Sequence, residues 1–249
     1  MNEDCLSFLK CYTEESERLI YHYTNGITAI DKILSKGKLR LGPMMNTNDP
    51  RENRNWSFVA EGNANTQHSD EAFFQVQNAL NSAFKRESKV ASFSMDDHEN
   101  ALALPKEIFY RGYARSRMWS QYGNQHKGIC LVFSVESLVE GLKMVAEDSR
   151  YVWTGPVKYE NNIMCPPFSW SRVEKVGIDS YADDFLCKYG DVFHFQKLED
   201  YRDEHEFRLV ARLKSDEWLF IDISKIPSSS NSWSRFSIRL DTRSHSSRR

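Results

Sequence analysis

The sequence predicts an α+β domain with a mixed or split β-sheet and flanking helices. Three observations carry this expectation. Helical and strand-like periodicities mingle along the chain without the strict βαβ repetition of a parallel sheet. Apolar residues run continuously through Gly128–Ser134, as in a strand buried on both faces. No internal repeat or composition break divides the 249 residues, a length that buries a core without disulfide or metal staples. The expected organisation is one α+β domain over residues 1–227, then a Ser/Arg-rich tail over 228–249 that frays.

The elements follow in order. Residues 3–12 fit a short leading helix, and Leu19–Thr24 is rich in the aromatic and β-branched residues of a strand. Thr24 or Asn25 can cap the next helix, whose Ile27, Ile30, Ile33 and Leu34 share a face and which Gly37 stops. Lys38–Leu41 fits a second strand, and Asn46-Thr47-Asn48-Asp49-Pro50 is dense in turn formers. Residues 70–86 set Phe73, Val76, Leu80 and Phe84 at helical spacing. Val90–Ser94 is a short strand leading to a loop through Asp96, Asp97 and His98.

A helix over 112–122 ends near Gly123 and feeds the buried strand. Val135, Leu138, Val139, Leu142 and Val145 mark an amphipathic helix behind it. Tyr151–Tyr159 reads as a strand interrupted at Gly155-Pro156. Cys165-Pro166-Pro167 is a loop before a helix over 178–196, and strands near 205–213 and 217–223 close the domain.

Composition narrows the function. The net charge of −2 gives no global electrostatic case for nucleic acid or an anionic membrane. Five scattered cysteines without a C-x-x-C pair argue against a disulfide framework or structural zinc and fit a reducing compartment. The acidic Met1-Asn2-Glu3-Asp4 lacks the order of a secretory signal, and the densest apolar run, Ile129–Phe133, is too short to span a bilayer; the expected location is cytoplasmic. Walker, dinucleotide-binding, zincin and serine-hydrolase signatures are absent from the sequence.

Four segments carry candidate chemistry. In Leu19–Thr24, alternation puts His22 and Thr24 on one face and Tyr21 and Tyr23 on the other. A strand histidine of this kind is more often satisfied by neighbouring backbone than a ligand. Asn46–Glu52 shapes a turn, or in a functional reading orders the rim of a pocket. In Arg117–Cys130, Trp119 and Tyr122 suit core packing first and ligand stacking second, while ligand contact and loop polarity are equally open for His126. In Glu204–Val210, Glu204, Glu206 and Arg208 point one way and Phe207 and Leu209 the other. That is an exposed face with a weak ion pair, or a carboxylate pair in a cleft tuned by Arg208. His22, His126, Glu204 and Glu206 as ligands of a metal-dependent hydrolase lack a tight spacing signature.

The blocks Y-H-Y-T, I-L-S-K-G-K-L-R-L-G, N-D-P-R-E, S-F-S, M-W-S-Q-Y-G-N-Q-H-K-G-I-C-L-V-F, V-K-Y and E-H-E-F-R-L-V, in that order from about residue 19 to 213, resemble the bacterial family DUF2971, whose name implies no activity. The opening strand, helix, Gly and strand are more distantly similar to ADP-ribosyltransferase-like folds. That resemblance implies cleavage of the nicotinamide–ribose bond of NAD, by a toxin or phage-defence effector, with an unassigned protein or nucleic-acid acceptor. It places Glu206 as the carboxylate beside the oxocarbenium-like sugar, Glu204 as orienter of the acceptor, and His22 with Thr24 on the ribose. Trp119 or Tyr122 would stack on nicotinamide, Arg117 or Arg208 would meet the pyrophosphate, and Tyr23 and His126 complete the binding set. Tyr122 departs from the pattern, because it falls on a helix and not a strand. The rival expectation is a non-catalytic module that binds a nucleotide or a partner.

Overall fold

The computed structural model describes residues 18–61, 68–97, 109–161 and 165–225, and the backbone of 237–240. The expected helix at 3–12 and His98 lie outside them. Its centre is an eight-stranded sheet in which all pairings are antiparallel. The strands are β1 (Leu19–Thr24), β2 (Lys38–Pro43), β4 (Ser88–Met95), β5 (Ile129–Ser134), β6 (Val152–Pro156), β10 (Glu206–Arg212), β11 (Leu219–Asp222) and β12 (Ser237–Leu240). Parallel pairing is confined to two small ribbons, β3 (Ala60–Glu61) with β8 (Phe168–Ser169), and β7 (Lys158–Tyr159) with β9 (Gln196–Lys197). The sheet is therefore split rather than mixed. β10 lines one edge of β4 from Ser88 to Ser94, while the other edge is shared, with β2 at Lys89–Val90 and β1 at Ser94–Met95.

The helices cover the two faces. Helix α1 (Thr28–Leu34), wound with i→i−5 bonds such as Ser35 N–H to Ile30 O, and α5 (Val135–Val145) cover one face. Ile20, Leu39, Leu41, Phe93, Leu131, Phe133, Phe207 and Leu209 pack beneath them as the largest core. On the other face, α4 (Ser116–Gln121) packs Met118 and Trp119 on Tyr21, Tyr23, Cys130 and Val132. A helical layer of α3 (Asp70–Asn81), α6 (Trp170–Val176) and α7 (Ile178–His194) builds an aromatic core around Phe58, Phe84, Phe168, Phe185 and Phe193. Among the described residues no helix is long and apolar enough to cross a membrane.

Several boundaries differ from the expectation. The helix expected over 112–122 is a 3-10 turn at Gly112–Ala114 followed by α4, because Arg115 between them is extended. Tyr151–Tyr159 is two strands, β6 on β10 and β7 on β9, divided after Pro156. Helix α6 precedes the expected helix at 178, separated from it by Gly177 at φ 83. Ser237–Leu240, inside the expected tail, pairs with β5. The turn that feeds β5 is tight: Asn124, Gln125 and His126 all hold positive φ (48, 54 and 66). A Cβ on Gly128 would lie 2.3 Å from Thr24 O, so this turn meets the end of β1 only through glycine.

Candidate functional site

The N-D-P-R-E segment forms a four-residue helix, α2 (Pro50–Asn53), as its residues dictate. Asp49 is buried and its Oδ1 accepts the Arg51 amide at 2.8 Å, while Pro50 takes the first helical position. Trp56 follows, its backbone bracketed by Asn81: Asn81 Oδ1 accepts the Trp56 amide and Asn81 Nδ2 donates to Trp56 O at 2.9 Å. The indole stacks on Phe193 with ring centroids 5.0 Å apart and 25° between planes. Lys85 Nζ lies 3.4 Å from the indole centroid and donates to Glu52 O at 2.7 Å, which fixes α2 against the aromatic core. Burial pushes the Lys85 pKa down to about 7.

A cavity of about 540 Å³ opens here, between residues 49–57 and the strand–turn segment 196–201. Trp56, Phe193 and Tyr201 supply its aromatic wall. Arg51 and Arg54 supply cations, and Glu52 and Gln196 also line it, with their side-chain oxygens Glu52 Oε1 and Oε2 and Gln196 Oε1 buried. Glu52 is 3% exposed; its Oε1 meets a buried guanidinium and its Oε2 is buried without a hydrogen-bond partner. Gln196 Oε1 is likewise buried without a partner.

Behind the cavity lies a buried polar network. Arg208, wholly buried in β10, reaches Glu52 Oε1 through Nη2 at 2.6 Å in a charge contact. The same guanidinium grips Glu206 through Nε (2.6 Å) and Nη2 (3.0 Å), and Nη1 donates to His194 O at 2.8 Å. Lys197 Nζ donates to Glu204 Oε2 at 2.6 Å and to Glu206 Oε2 at 3.2 Å. The Tyr122 hydroxyl donates to Glu204 Oε1 at 3.0 Å, and the Tyr159 hydroxyl accepts the Glu206 amide. Tyr201 joins network to cavity, with its ring 4.5 Å from Lys197 Nζ.

The electrostatics are those of mutually satisfied charges. Burial would raise the Glu206 pKa, but Arg208 and Lys197 outweigh it and hold the carboxyl at about 2. Burial alone disfavours the charged Lys197 and Arg208, yet the facing carboxylates raise both. The Tyr122 pKa is raised by burial and by Glu204. His194, neutral at 0% exposure, has its pKa lowered to about 3 by burial, Arg208 and Lys85. Its Nε2 lies 3.0 Å from Ser88 Oγ, whose proton is donated to Ala83 O; Nε2 therefore carries the imidazole proton.

The structure brings Tyr122, Glu204, Glu206 and Arg208 together and leaves the other expected residues elsewhere. His22 is the main correction. Register pairs Tyr21 with Ser94 and Ser94 with Glu206, so Tyr21, Tyr23 and Glu206 share a face and His22 projects from the opposite one. A site that uses both His22 and Glu206 is not formed. His22 is half-buried against Phe93, and its Nδ1 meets Ser92 O at 3.2 Å, where β1 and β2 diverge along β4. Burial lowers its pKa. Thr24 shares that face, pairs with Ile129 and is buried.

The remaining expected residues have structural partners. Trp119 is core: its Nε1 donates to Tyr113 O and its ring meets Tyr23 edge-on. Arg117 pairs with Asp203 at the surface. His126 holds a left-handed turn in which its amide donates to Trp119 O. The four proposed metal ligands are not gathered, and among the described residues no group of three or more His, Cys, Asp and Glu is placed to hold a metal. Of the two readings of Glu204–Arg208, the exposed face is overturned: the three charged residues are buried, with Glu204 in a turn before β10 and His205 at φ 43 between the two carboxylates.

Sequence reasoning missed Lys85, Tyr159, Lys197 and Tyr201 as parts of one site, and placed Glu52 on a pocket rim without its partner Arg208. The N-D-P-R-E block was the one legible signal, as the rim of a pocket. No curated protein and no solved structure matches the chain. Residues 118–209, which carry Tyr122, Lys197, Glu204, Glu206 and Arg208, match the family model described as Protein of unknown function (DUF2971).

Proposed function

We propose that the protein is a nucleotide-binding module and that its ligand sits in the cavity between residues 49–57 and 196–201. The observation that carries this reading is the set of groups around one cavity of about 540 Å³: an aromatic wall and two guanidinium groups. The volume is in the range of small-molecule sites, roughly 300–1,000 Å³. Tyr201 offers a ring face to a planar base, the faces of Trp56 being taken by Phe193 and Lys85, and Arg51 and Arg54 offer charge-assisted bonds to a phosphate.

The reading does not assign turnover. Glu206, the carboxylate that the transferase resemblance would use, has both oxygens engaged by Arg208 and one also by Lys197, and it does not line the cavity. It therefore supports the floor through Arg208 and Glu52. The test is calorimetric titration of the full chain with nucleoside monophosphates, the corresponding nucleosides, and NAD. Binding of the monophosphates with Kd below about 100 μM, weakened at least about tenfold without the phosphate, supports the reading. Failure of every nucleotide to bind removes it.

A further inference from the structure

We propose that a second copy of this chain pairs with the outer edge of β11 to form a two-fold dimer. β11 stands at the end of the strand order, and among the described residues it pairs with β2 alone. Its register sets Leu219 opposite Leu41 and Ile221 opposite Leu39, and runs on to a bond from Ile223 N–H to Gly37 O. Antiparallel pairing alternates bonded with unbonded positions. The odd-numbered residues therefore bond β2, and Phe220 turns its N–H and C=O to the outer edge. Such an edge is a template for a further strand.

The side chains beside that edge suit an interface. Leu219 and Ile221 are buried in the core, while Trp218 and Phe220 are 39% and 44% exposed on the other face. Trp218 is held in place there: a Cβ on Gly42 would lie 2.5 Å from its ring, and the Arg40 guanidinium lies 4.0 Å from the ring centroid. Phe220 sits directly opposite Arg40. Trp and Arg side chains fixed in this way are the kind that most often anchor an interface.

The flanking charges choose the occupant. The chain is acidic before the strand, at exposed Asp216 and Glu217, and basic after it, at exposed Lys225. Lys214, also before the strand, is engaged by Asp183, and Lys225 meets Asp222 in a surface contact of 3.2 Å. A second copy running antiparallel about an axis at Phe220 exchanges N–H···O bonds between the two Phe220 residues. It sets Trp218 opposite Asp222 of the second copy, on the face where Arg40 covers the ring. The same axis brings each acidic end beside the other copy's Lys225, so the edge complements itself.

The experiment is sedimentation velocity of the full chain from about 1 to about 200 μM. The expected mass rises with concentration from the 29.1 kDa of one chain to twice that value. Phe220→Lys sets two ammonium groups against each other across the axis and should raise the dissociation constant at least about tenfold. Lys225→Glu should raise it about threefold, and Glu217→Lys added in the same chain should bring it back. Phe74→Lys, at an exposed phenylalanine of α3, should leave it unchanged. Circular dichroism checks that each variant is folded; if Phe220→Lys is not, the Lys225→Glu and Glu217→Lys pair decides. A monomer at every concentration overturns the proposal. A dimer that Phe220→Lys or Lys225→Glu leaves intact overturns it as well.

Discussion

Arg208 holds Glu206 by two bonds from one guanidinium, Nε to Oε1 at 2.6 Å and Nη2 to Oε2 at 3.0 Å, although the two residues are only two positions apart in β10. Same-face neighbours along a strand seldom need each other, but both are buried here. The pair is a structural charge contact that also supports the cavity floor through Glu52.

Glu206→Gln should therefore cost stability. It leaves Arg208 and Lys197 with less opposing charge in a buried site, a defect of about 3–5 kcal/mol. Urea unfolding of the variant against the parent measures it. A change below about 1 kcal/mol would show that the network is not the support described.

Acid should weaken the fold in two stages. His194 binds a proton in the unfolded chain below its ordinary 6.5 but in the folded chain only near 3, so stability falls as pH drops between those values. Glu206 takes a proton near 4.5 when unfolded and near 2 when folded, so its contribution is present above 4.5 and is lost towards 2. Unfolding midpoints from pH 7 to 3 should decline throughout, and His194→Gln should flatten the part between 6.5 and 4.5.

His22→Ala separates the two faces of the sheet. It removes the ring that meets Ser92 O and should cost about 1–3 kcal/mol, while nucleotide affinity stays within about twofold. A loss of binding at unchanged stability would place His22 in the ligand site.

Arg54→Ala should weaken monophosphate binding at least about tenfold and make it less sensitive to salt, with the Tm unchanged, since Arg54 is exposed and lines the cavity. Titrations at low and high ionic strength check both parts.

Gly128→Ala should destabilise by about 1–3 kcal/mol, because the new Cβ would meet the backbone oxygen of Thr24 at 2.3 Å and backbone cannot rotate away. Thermal melting is sufficient to read it.

The strands were legible because their period is local. Leu19–Thr24 and Glu206–Arg212 announce themselves by alternation and by β-branched and aromatic residues, and both lie close to where their sequences put them. What alternation cannot say is which face of the sheet a set of side chains meets. That depends on the register of β1 and β10 with β4, a strand distant from both in sequence, and so His22 and Glu206 were joined when they are opposed. Likewise Lys197 reads as an ordinary charged residue, and the burial of Glu52 against Arg208 is not legible, since their partners lie in β10 and its preceding turn. The Asp49–Glu52 rim was legible because Asp-Pro capping is written in adjacent residues.

The opening strand therefore works by parity. Its odd-numbered tyrosines seal the α4 side and its even-numbered Ile20 and His22 face the aliphatic side. Inserting or deleting one residue within β1 would exchange the two sets at a stroke, thrusting phenols among leucines and imidazole towards Trp119. Length in this strand is consequently constrained more tightly than identity: Tyr23→Phe costs one hydroxyl, whereas a one-residue slip miswires both sides of the sheet together.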